Sequence, residues 1–481
     1  MDRSHFTTWD SVKHLWYNLG LPLNAVHSLD LVGGDDSALP SSFKIGHLAQ
    51  SSIAVSGLLA ALLCSYRRST QLPKVKLDRR HAVVEFSSEK LYLLNGQESK
   101  PTWGSIGGLH ESADGYVRVH DSFPNHQDAA LDMLDCPRDA TKFDFAQKVK
   151  SRLGQDLEDA AIEAGAVIFA MRSYKEWDEL YQAQAIKDFP ITITKVADSQ
   201  PYVPAIPSGA SNKCLAGFRV LEMSRVIAAP VAGRTLAAHG ADVLWVTSPH
   251  LPDLPELDRD VGRGKRTAQL DLNEPAQEAV LLQLIGDADV FLQSYRPGGL
   301  VDRGLSAEKL IGARNGQPLV CASLTAWGTD GPWSNRRGFD SIVQTASGMN
   351  VSEAEHYGNS VAPRPMPCQA LDHAAGYFLA SGIMTALYRQ AIQGGSYQVD
   401  VSLAGVMKYL RSLGQYEGDR GFQCSGYDTL DDVPVGFTET RDCAFGKLQA
   451  IKHSVKIEDV EVGWEHMPKP LGSDQPVWLP R

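Results

Sequence analysis

The chain is poor in closely spaced cysteines. Its seven cysteines are scattered between Cys64 and Cys443, and none belongs to a CxxC. A structural zinc site and a disulfide framework both need cysteines at short, regular spacing, so neither is expected, and no metal is predicted. Scattered single cysteines fit a reducing compartment.

The chain also lacks an excess of positive charge and an obvious targeting segment. Its formal net charge is −11, without a basic stripe, so nucleic acid and membrane surfaces are not expected partners. The amino-terminal MDRSHFTTWD has no apolar core of the signal-peptide kind. The longest apolar run near it, Ile53 to Leu63, is too short to span a bilayer. We therefore expect a cytoplasmic location.

From Leu215 onward, short apolar strands alternate with amphipathic helices. The predicted strands read AGFRVLEMS, ADVLWVT, ADVFLQS and LVCASLTAW. Pro230 suits the first turn of the helix that follows the first strand. This alternation predicts an α/β fold with a Rossmann-like parallel sheet and helices on both faces.

The usual nucleotide and hydrolase motifs are missing from this half. The first strand–helix turn, SRVIAAP, has no GxGxxG, and HExxH, GxSxG and SxxK do not occur at credible positions. In GRGKRT, Arg266 separates Lys265 from Thr267 and so breaks the Walker A spacing. Two interpretations of GRGKRT stay open: a site for an anion such as phosphate, and a solvated basic turn.

The composition changes along the chain in a way that predicts several units. Residues 96–200 are typical of a separate small α+β domain closed by the strand ITITKV, and a linker rich in Pro, Ser and Gly follows. The predicted boundaries are 1–95 for an N-terminal segment, 96–200 for the small domain, 201–214 for the linker, 215–430 for the Rossmann-like domain and 431–481 for a C-terminal tail.

One helix carries the candidate chemistry. ALDHAAGYFLASGIMTALY, from Ala370, has apolar residues every four positions and predicts a buried helix. Gly376 and Gly382 lie inside it, which suggests that another group approaches its backbone closely. Asp372 stands at its start, where the helix dipole favours an anion. Asp372 is either a helix cap or a functional carboxylate.

A similar stretch occurs near the amino terminus. AVSGLLAAL aligns with LASGIMTAL, and VKLDRRHAVVEF aligns with VDVSLAGVMKYL after a slip of one residue. This indicates a degenerate internal repeat in which His47 takes the place of Asp372, although two unrelated apolar helices would share the same composition. His47 is then a remnant, an acid–base group, or a satisfied core histidine.

The ordered segments from Leu215 to Tyr416 resemble the family III CoA-transferases. These segments are FRVLEMSRVIAAPVAGRTLAAHGADVLWV, GRGKRTAQLDL, ADVFLQSYRPGGLVDRGL, CASLTAWGTDGPWSNRRGFDSIVQTASGM and the helix of Asp372. The tail FGKLQAIKHSVKIEDVEVGWEHMPKPLG is similar to that family's C-terminal end. The order of the parts resembles a permuted or tandem-fused member, because the small domain precedes the Rossmann-like half.

The resemblance implies interlocked homodimers, acyl-CoA and a carboxylic acid as substrates, and no prosthetic group. It implies that Asp372 is a nucleophile forming an aspartyl anhydride and then an aspartyl-CoA thioester. By position, the family's CoA contacts fall on Arg225, Val226, Ala228, Lys265, Arg266, Tyr295, Arg296 and Arg337. For Val226 and Ala228, plain packing remains an equal alternative. A glycine-rich loop covers the aspartate in some members, and Trp103 to His110 is the local candidate.

Departures from the family pattern bear on which reaction is expected. Racemases of the family carry a histidine where this chain has Phe339, which cannot act as a base. The family's arginine after the RPG turn falls at Asp302, beside Arg303. We therefore expect an acyl-CoA:carboxylate CoA-transferase. A racemase or isomerase of 2-substituted acyl-CoAs and a non-catalytic CoA-binding relic are the alternatives.

Overall fold

The structure is a computed structural model that describes residues 1–209, 211–314, 316–358 and 362–481. Its helices are α1 (Thr8–Asn18), α2 (Ile45–Arg68), α3 (Arg79–Glu85), α4 (Pro124–Met133), α5 (Lys142–Val149), α6 (Gly154–Ala164), α7 (Tyr174–Asp178), α8 (Tyr181–Ala185), α9 (Ala228–Ala238), α10 (Pro255–Val261), α11 (Pro275–Asp287), α12 (Ala307–Gly312), α13 (Asp340–Ala346), α14 (Met349–His356), α15 (Ala370–Gln393) and α16 (Leu403–Ser412). Its strands are β1 (Leu29–Val32), β2 (Val75–Asp78), β3 (Tyr92–Leu94), β4 (Gln97–Glu98), β5 (Gly108–Glu111), β6 (Tyr116–Val119), β7 (Ile168–Ala170), β8 (Ile191–Ala197), β9 (Arg219–Met223), β10 (Asp242–Thr247), β11 (Arg266–Gln269), β12 (Val290–Gln293), β13 (Val320–Thr325), β14 (Ser396–Ser402), β15 (Thr438–Cys443), β16 (Gly446–Ile451) and β17 (Lys456–Ile457).

A large sheet dominates the second half of the chain. Within the described residues its strand order is β11-β10-β9-β12-β13-β14-β8, and all neighbours except β14 and β8 are parallel. Alternate residues of β9 pack on opposite sides, Val220 into one apolar cluster and Leu221 into another. The predicted α/β class, with a parallel sheet and helices on both faces, is therefore confirmed.

The strand ITITKV differs from its predicted role. It forms β8, and β8 pairs antiparallel with β14 at the edge of the large sheet, with Val401 opposite Ile191. The prediction that it closes the small domain is wrong, because a strand's partner lies beyond its local sequence. The three-stranded sheet of the small domain, β5-β6-β7, ends instead with β7.

The small α+β unit has its own core. Helices α4, α5 and α6 pack on its sheet around an apolar cluster that includes Val117, Phe145, Leu157 and Ile168. Its strand β6 and the segment after it also face the large sheet's half, since β6 contacts α13. This unit therefore forms one wall of any cleft beside α13.

Two helix units of the same element order pack against each other. β1–α2–β2–α3 and β13–α15–β14–α16, the second with α13 and α14 inserted after β13, each contain a parallel strand pair, and their long helices each have 24 residues. His47 and Asp372 are both the third residue of those helices, and Gly57 and Gly382 share a later position. The helices α2 and α15 lie in contact. These features agree with the predicted repeat.

Helix α2 is longer than the apolar run Ile53–Leu63 suggested. By length and composition it could cross a membrane, but 94% of its most apolar segment is buried inside the protein. It belongs to the same apolar core as α15.

The glycines of α15 permit close packing, as expected. A Cβ atom at Gly376 would lie 2.6 Å from the Ala228 carbonyl oxygen and 2.7 Å from Val231. A Cβ at Gly382 would lie within 3.0 Å of Ile191. Helix α15 therefore presses directly on the first turn of α9.

We expect Gly376→Ala to lower the free energy of unfolding by about 1–3 kcal/mol, because backbone of α9 must move to admit the methyl group. The matched control is Gly286→Ala in α11, where nothing lies within 4 Å of the new Cβ. That substitution should raise the stability by about 0.5–1 kcal/mol. Denaturant unfolding of both variants tests this, and equal effects would contradict the close contact.

Candidate active site

Two cavities meet at Asp372. The first, of about 300 Å³, is lined by Arg225, Arg296, Arg336 and Arg337, and we call it the arginine cavity. The second, of about 350 Å³, is lined by the carboxylates Glu89, Glu98, Glu256, Asp340 and Asp428, and we call it the acidic cavity. Val226, Ile227, Phe339 and Asp372 line both cavities. The chain thus offers two adjoining chambers of opposite charge.

The arginine cavity lies at the point where the strand order of the large sheet reverses. The loop after β9 contributes Arg225 to Ala229, and the loop after β12 contributes Ser294 to Pro297. β9 and β12 are the neighbours whose connections leave in opposite directions. Crevices at this switch point, outside the carboxyl ends of the strands, are the usual ligand sites of open α/β sheets.

Val226 has an unusual backbone conformation. Its φ is 70°, in the left-handed region that β-branched residues rarely adopt. Such strain persists where the surrounding structure imposes it, and it is concentrated at ligand sites. Because Val226 lines both cavities, the strained loop forms part of their shared boundary.

Several cations of the arginine cavity have no counter-charge. In the described part of the chain, Arg296 and Arg337 form no ion pair, and their side chains donate no hydrogen bond, whereas Arg336 is paired with Glu158 at 3.0 Å. Arg225 donates to the Pro252 carbonyl and forms no ion pair there. Unpaired guanidinium groups beside a cavity are suited to binding an anionic ligand.

The positive field of this cavity reaches a histidine of the small domain. Burial, followed by the charges of Arg337, Arg225 and Arg296, lowers the pKa of His126 to about 4. Arg225 also lies over the ring of Phe123, 4.2 Å from its centroid. The small domain therefore completes the wall of the arginine cavity with an aromatic ring and a neutral imidazole.

Asp372 does not cap its helix, because Asp340 does. Helix α15 has Gln369 at its N-cap position, without a side-chain hydrogen bond. The Asp340 carboxylate instead accepts the backbone N–H of Leu371 at 2.8 Å and that of Asp372 at 3.0 Å. The Asp372 carboxylate accepts no hydrogen bond from the described residues, so the helix-cap interpretation of Asp372 is wrong.

The Asp372 carboxyl is buried without a compensating partner. Its residue is 7% exposed. Burial, and then the negative charges of Asp340 and Glu89, raise the pKa of Asp372 well above its ordinary value. Burial also raises the pKa of Asp340 to about 6. The expectation that the helix start favours an ionised Asp372 is therefore not met, because Asp340 takes the first N–H groups.

The residue after Asp372 is held by the N-terminal unit. His373 Nε2 lies 2.9 Å from a carboxylate oxygen of Glu89, and both residues are buried. Glu89 follows α3 in the first helix unit and also lines the acidic cavity. The start of α15 is thus fixed from two sides, by Asp340 and by Glu89.

Phe339 forms the boundary next to Asp372, and a histidine stacks on it. The rings of His120 and Phe339 are 3.6 Å apart between centroids and nearly parallel. His120 is 6% exposed, lines the acidic cavity, and its buried Nδ1 has no hydrogen-bond partner. Burial lowers the pKa of His120 well below its ordinary value, so the ring is neutral.

The glycine-rich loop from Trp103 to His110 lies at the acidic cavity. Trp103 lines the cavity and packs edge-on against His120. The Asp121 carboxylate accepts the backbone N–H of Gly104 at 3.0 Å and of Ile106 at 2.9 Å. The loop is therefore tied to the small domain and presents one aromatic ring toward the site.

Lys265 and Arg266 do not belong to the site, contrary to prediction. Lys265 is buried and lies 2.7 Å from Glu222, while Arg266 is paired with Asp242 at 2.9 Å. Burial lowers the pKa of Lys265. Since Arg266 begins β11, the basic segment enters the sheet, and both cations are used by internal ion pairs.

Other predicted positions are structural as well. His47 is buried, its Nε2 lies 2.7 Å from Ser11 Oγ, and burial lowers its pKa to about 3. It lines neither cavity, which fits a satisfied core histidine. Arg303 donates to the Leu272 carbonyl at 2.8 Å, and neither Arg303 nor Asp302 reaches the cavities.

The remaining predicted residues do come together. Arg225, Val226, Ala228, Tyr295, Arg296 and Arg337 line the arginine cavity with Asp372. Sequence reasoning missed Asp340, Glu89 and His120, although the GFD segment already contained Asp340. Within the described residues, no group of three or more His, Cys, Asp or Glu side chains could hold a metal ion.

The sequence of the large sheet's half matches a known family. The model of CoA-transferase family III matches residues 215–422. Over these residues, the chain is similar to CoA-transferase family III. That segment contains Asp372 and every arginine of the arginine cavity.

Individual proteins similar to this chain include two transferases and one solved structure. An "Acyl-CoA transferase" of Gibberella moniliformis is 29% identical over 405 residues, covering 77% of this chain and 71% of that protein. An "Acetyl-coenzyme A transferase nodX" of Hypoxylon pulicicidum is 28% identical, covering 65% of this chain and 55% of that protein. A crystal structure of the hypothetical protein Rv3272 from Mycobacterium tuberculosis is 30% identical, with a TM-score of 0.38, covering 43% of this chain and 57% of that one. The chain thus spans between about half and seven tenths of these relatives.

We expect Asp372→Asn to stabilise the protein at pH 8 and not at pH 4. The pKa of Asp372 is higher in the folded protein than in the unfolded chain. The folded protein is therefore favoured while Asp372 is protonated, below the pKa of an unfolded aspartate of about 4, and it loses stability as the pH rises and the buried carboxyl must ionise. The neutral amide avoids that loss. Thermal unfolding should show a midpoint higher by about 1 °C or more at pH 8.

The control is Asp428→Asn, which changes an exposed carboxylate and should leave the midpoint unchanged at both pH values. Equal midpoints for Asp372→Asn and the unsubstituted protein at pH 8 would contradict the account of a buried, unpaired carboxyl.

Proposed function

We propose that the protein is a CoA-transferase that moves CoA from an acyl-CoA to a carboxylic acid, with Asp372 as the covalent nucleophile. One observation carries this proposal: Asp372 is a buried carboxyl without a hydrogen bond from the described residues, at the junction of two cavities. A desolvated carboxylate with no donors to satisfy is a stronger nucleophile than a hydrated one. The match of residues 215–422 to the model of CoA-transferase family III supports the same class of reaction.

The arginine cavity suits the CoA moiety. CoA carries phosphate groups, and Arg225, Arg296 and Arg337 supply guanidinium groups free of ion pairs within the described residues. Tyr295 and Phe123 add aromatic surface for the adenine or the pantetheine arm. The thioester at the end of the arm would then reach Asp372, where the two cavities join.

The first half of the proposed reaction leaves the CoA on the enzyme. An Asp372 oxygen attacks the thioester carbonyl carbon, the C–S bond breaks, and a mixed anhydride and the CoA thiolate form. The thiolate attacks the side-chain carbonyl carbon of Asp372. The C–O bond of the anhydride breaks, the donor leaves as its carboxylate, and an aspartyl-CoA thioester remains.

The second half reverses these steps with the acceptor. The acceptor carboxylate attacks the aspartyl carbonyl carbon and expels the CoA thiolate, which gives a new mixed anhydride. The thiolate attacks the acceptor's carbonyl carbon, so the new acyl-CoA forms and the Asp372 carboxylate is restored. Burial of Asp372 keeps water from hydrolysing these intermediates. The interlocked homodimer and the cytoplasmic location remain predictions.

Chemical trapping tests the proposed intermediate. After incubation with an acyl-CoA, borohydride should reduce the aspartyl thioester and convert Asp372 to homoserine, detected by peptide mass spectrometry. No conversion should occur without acyl-CoA. Asp372→Asn should lower kcat by about a thousandfold or more, because the nucleophile is lost.

The matched control, Asp428→Asn, removes an exposed carboxylate of the acidic cavity and should keep the trapping at Asp372. Full exchange activity in Asp372→Ala would overturn the mechanism. Tight CoA binding without exchange across a series of carboxylic acids would favour the non-catalytic relic instead.

A second candidate function is isomerisation of 2-substituted acyl-CoAs, favoured by His120. Phe339 replaces the histidine expected of a racemase, yet the neutral imidazole of His120 stacks on Phe339 and lines the acidic cavity. A neutral imidazole can accept an α-proton. In D₂O without an acceptor acid, this function predicts deuterium at the α-carbon of a 2-methylacyl-CoA, lost in His120→Asn. Absence of deuterium would exclude it.

A further inference from the structure

The two cavities differ in charge in a way that bears on the acyl group. The acidic cavity is lined by six carboxylates, Asp372 included, against two lysines, and no arginine lines it within the described residues. The arginine cavity contains the guanidinium groups. If CoA phosphates occupy the arginine cavity, the acyl or acceptor chain extends from Asp372 into the acidic one.

Some carboxylates of the acidic cavity are paired with a basic side chain, and others are not. Glu89 lies 2.9 Å from His373, and Glu256 lies 2.7 Å from Arg259. Within the described residues, Glu98, Asp340, Asp372 and Asp428 have no ion pair. Lys90 donates to the Pro367 carbonyl at 3.2 Å. The unpaired carboxylates of the acidic cavity therefore outnumber its two lysines.

Two buried groups show that this cavity is built to receive a ligand. Asp372 is 93% buried, its carboxylate lacks a hydrogen bond from the described residues, and it lines the cavity. His120, 6% exposed, also lines the cavity and has a buried Nδ1 without a partner. A buried polar group without a partner calls for an explanation, and a bound ligand is one such explanation.

The other surfaces of the cavity suit an uncharged group. Trp103, Phe339 and Leu257 line it together with the ring of His120. Its volume of about 350 Å³ is within the range of small-molecule sites. A chain with an apolar end would contact these rings, whereas a chain with a terminal carboxylate would bring a negative charge toward Glu98 and Asp428.

We propose that the protein selects acyl groups without a second carboxylate, and that it rejects dicarboxylic acyl groups by charge. This inference rests on the proposed CoA transfer at Asp372. The discriminating elements are the unpaired carboxylates Glu98 and Asp428, since like charges brought close together disfavour binding. The two lysines that line the cavity are outnumbered by its six carboxylates taken together.

The test compares two donors of equal chain length that differ in the terminal group, butyryl-CoA and succinyl-CoA. We expect kcat/KM for butyryl-CoA to exceed that for succinyl-CoA by about tenfold or more, at low salt. Raising the salt concentration to roughly 0.5 M should narrow this ratio, because exposed charges are screened. A ratio set by shape would not respond to salt.

A charge reversal isolates the cause. Glu98→Lys should narrow the butyryl-to-succinyl ratio by about threefold or more. The matched control is Asp431→Lys, which reverses an exposed carboxylate close to Asp428 in sequence but outside the cavity lining. Asp431→Lys should leave the ratio of kcat/KM for butyryl-CoA to kcat/KM for succinyl-CoA as it is in the unsubstituted protein.

Two results would overturn the inference: a succinyl-CoA rate equal to or above the butyryl-CoA rate, or a preference for butyryl-CoA that neither salt nor Glu98→Lys alters. Failure of the proposed function looks different, since neither donor would then exchange CoA and borohydride would not convert Asp372.

Discussion

The site depends on one hydrogen-bonded arrangement, the Asp340 carboxylate at the start of α15. A helix start offers free N–H groups and a partial positive charge, and an aspartate there ordinarily binds them itself. Here Asp340, 32 residues earlier, accepts the N–H groups of Leu371 and Asp372. The Asp372 side chain is thereby released from any role in its own helix and turns toward the cavities.

Three parts of the chain position this arrangement. The large sheet supplies α15 and the strained loop at Val226, the small unit supplies His120 against Phe339, and the N-terminal unit supplies Glu89 against His373. Each contact joins residues far apart in sequence. Such support fixes the start of α15, because a carboxylate without hydrogen bonds of its own is oriented only by the backbone that carries it.

The sequence predicted the parts that depend on local pattern. The alternation of strands and helices and the ordered segments that resemble the family were sufficient for the class of fold. They also pointed to Asp372, whose role as the nucleophile stays a prediction. The prediction that Lys265 and Arg266 contact CoA was wrong. These cations lie where the chain enters a strand of the sheet, and they pair with Glu222 and Asp242, which lie elsewhere in the sequence. The roles of Asp340, Glu89 and His120 depend on contacts across domains, for which no local signal exists.

The similarity of the two helix units has a consequence for the substitutions that each unit can accept. In α2 the residue at the position of Asp372 is His47, whose ring is hydrogen-bonded to Ser11. Helix α2 otherwise has the same length as α15, is likewise buried, and has Gly57 at the position of Gly382. Helix α2 packs in the core and lines neither cavity. Substitutions in α2 are then limited by packing, while in α15 the proposed chemistry of Asp372 adds a second limit.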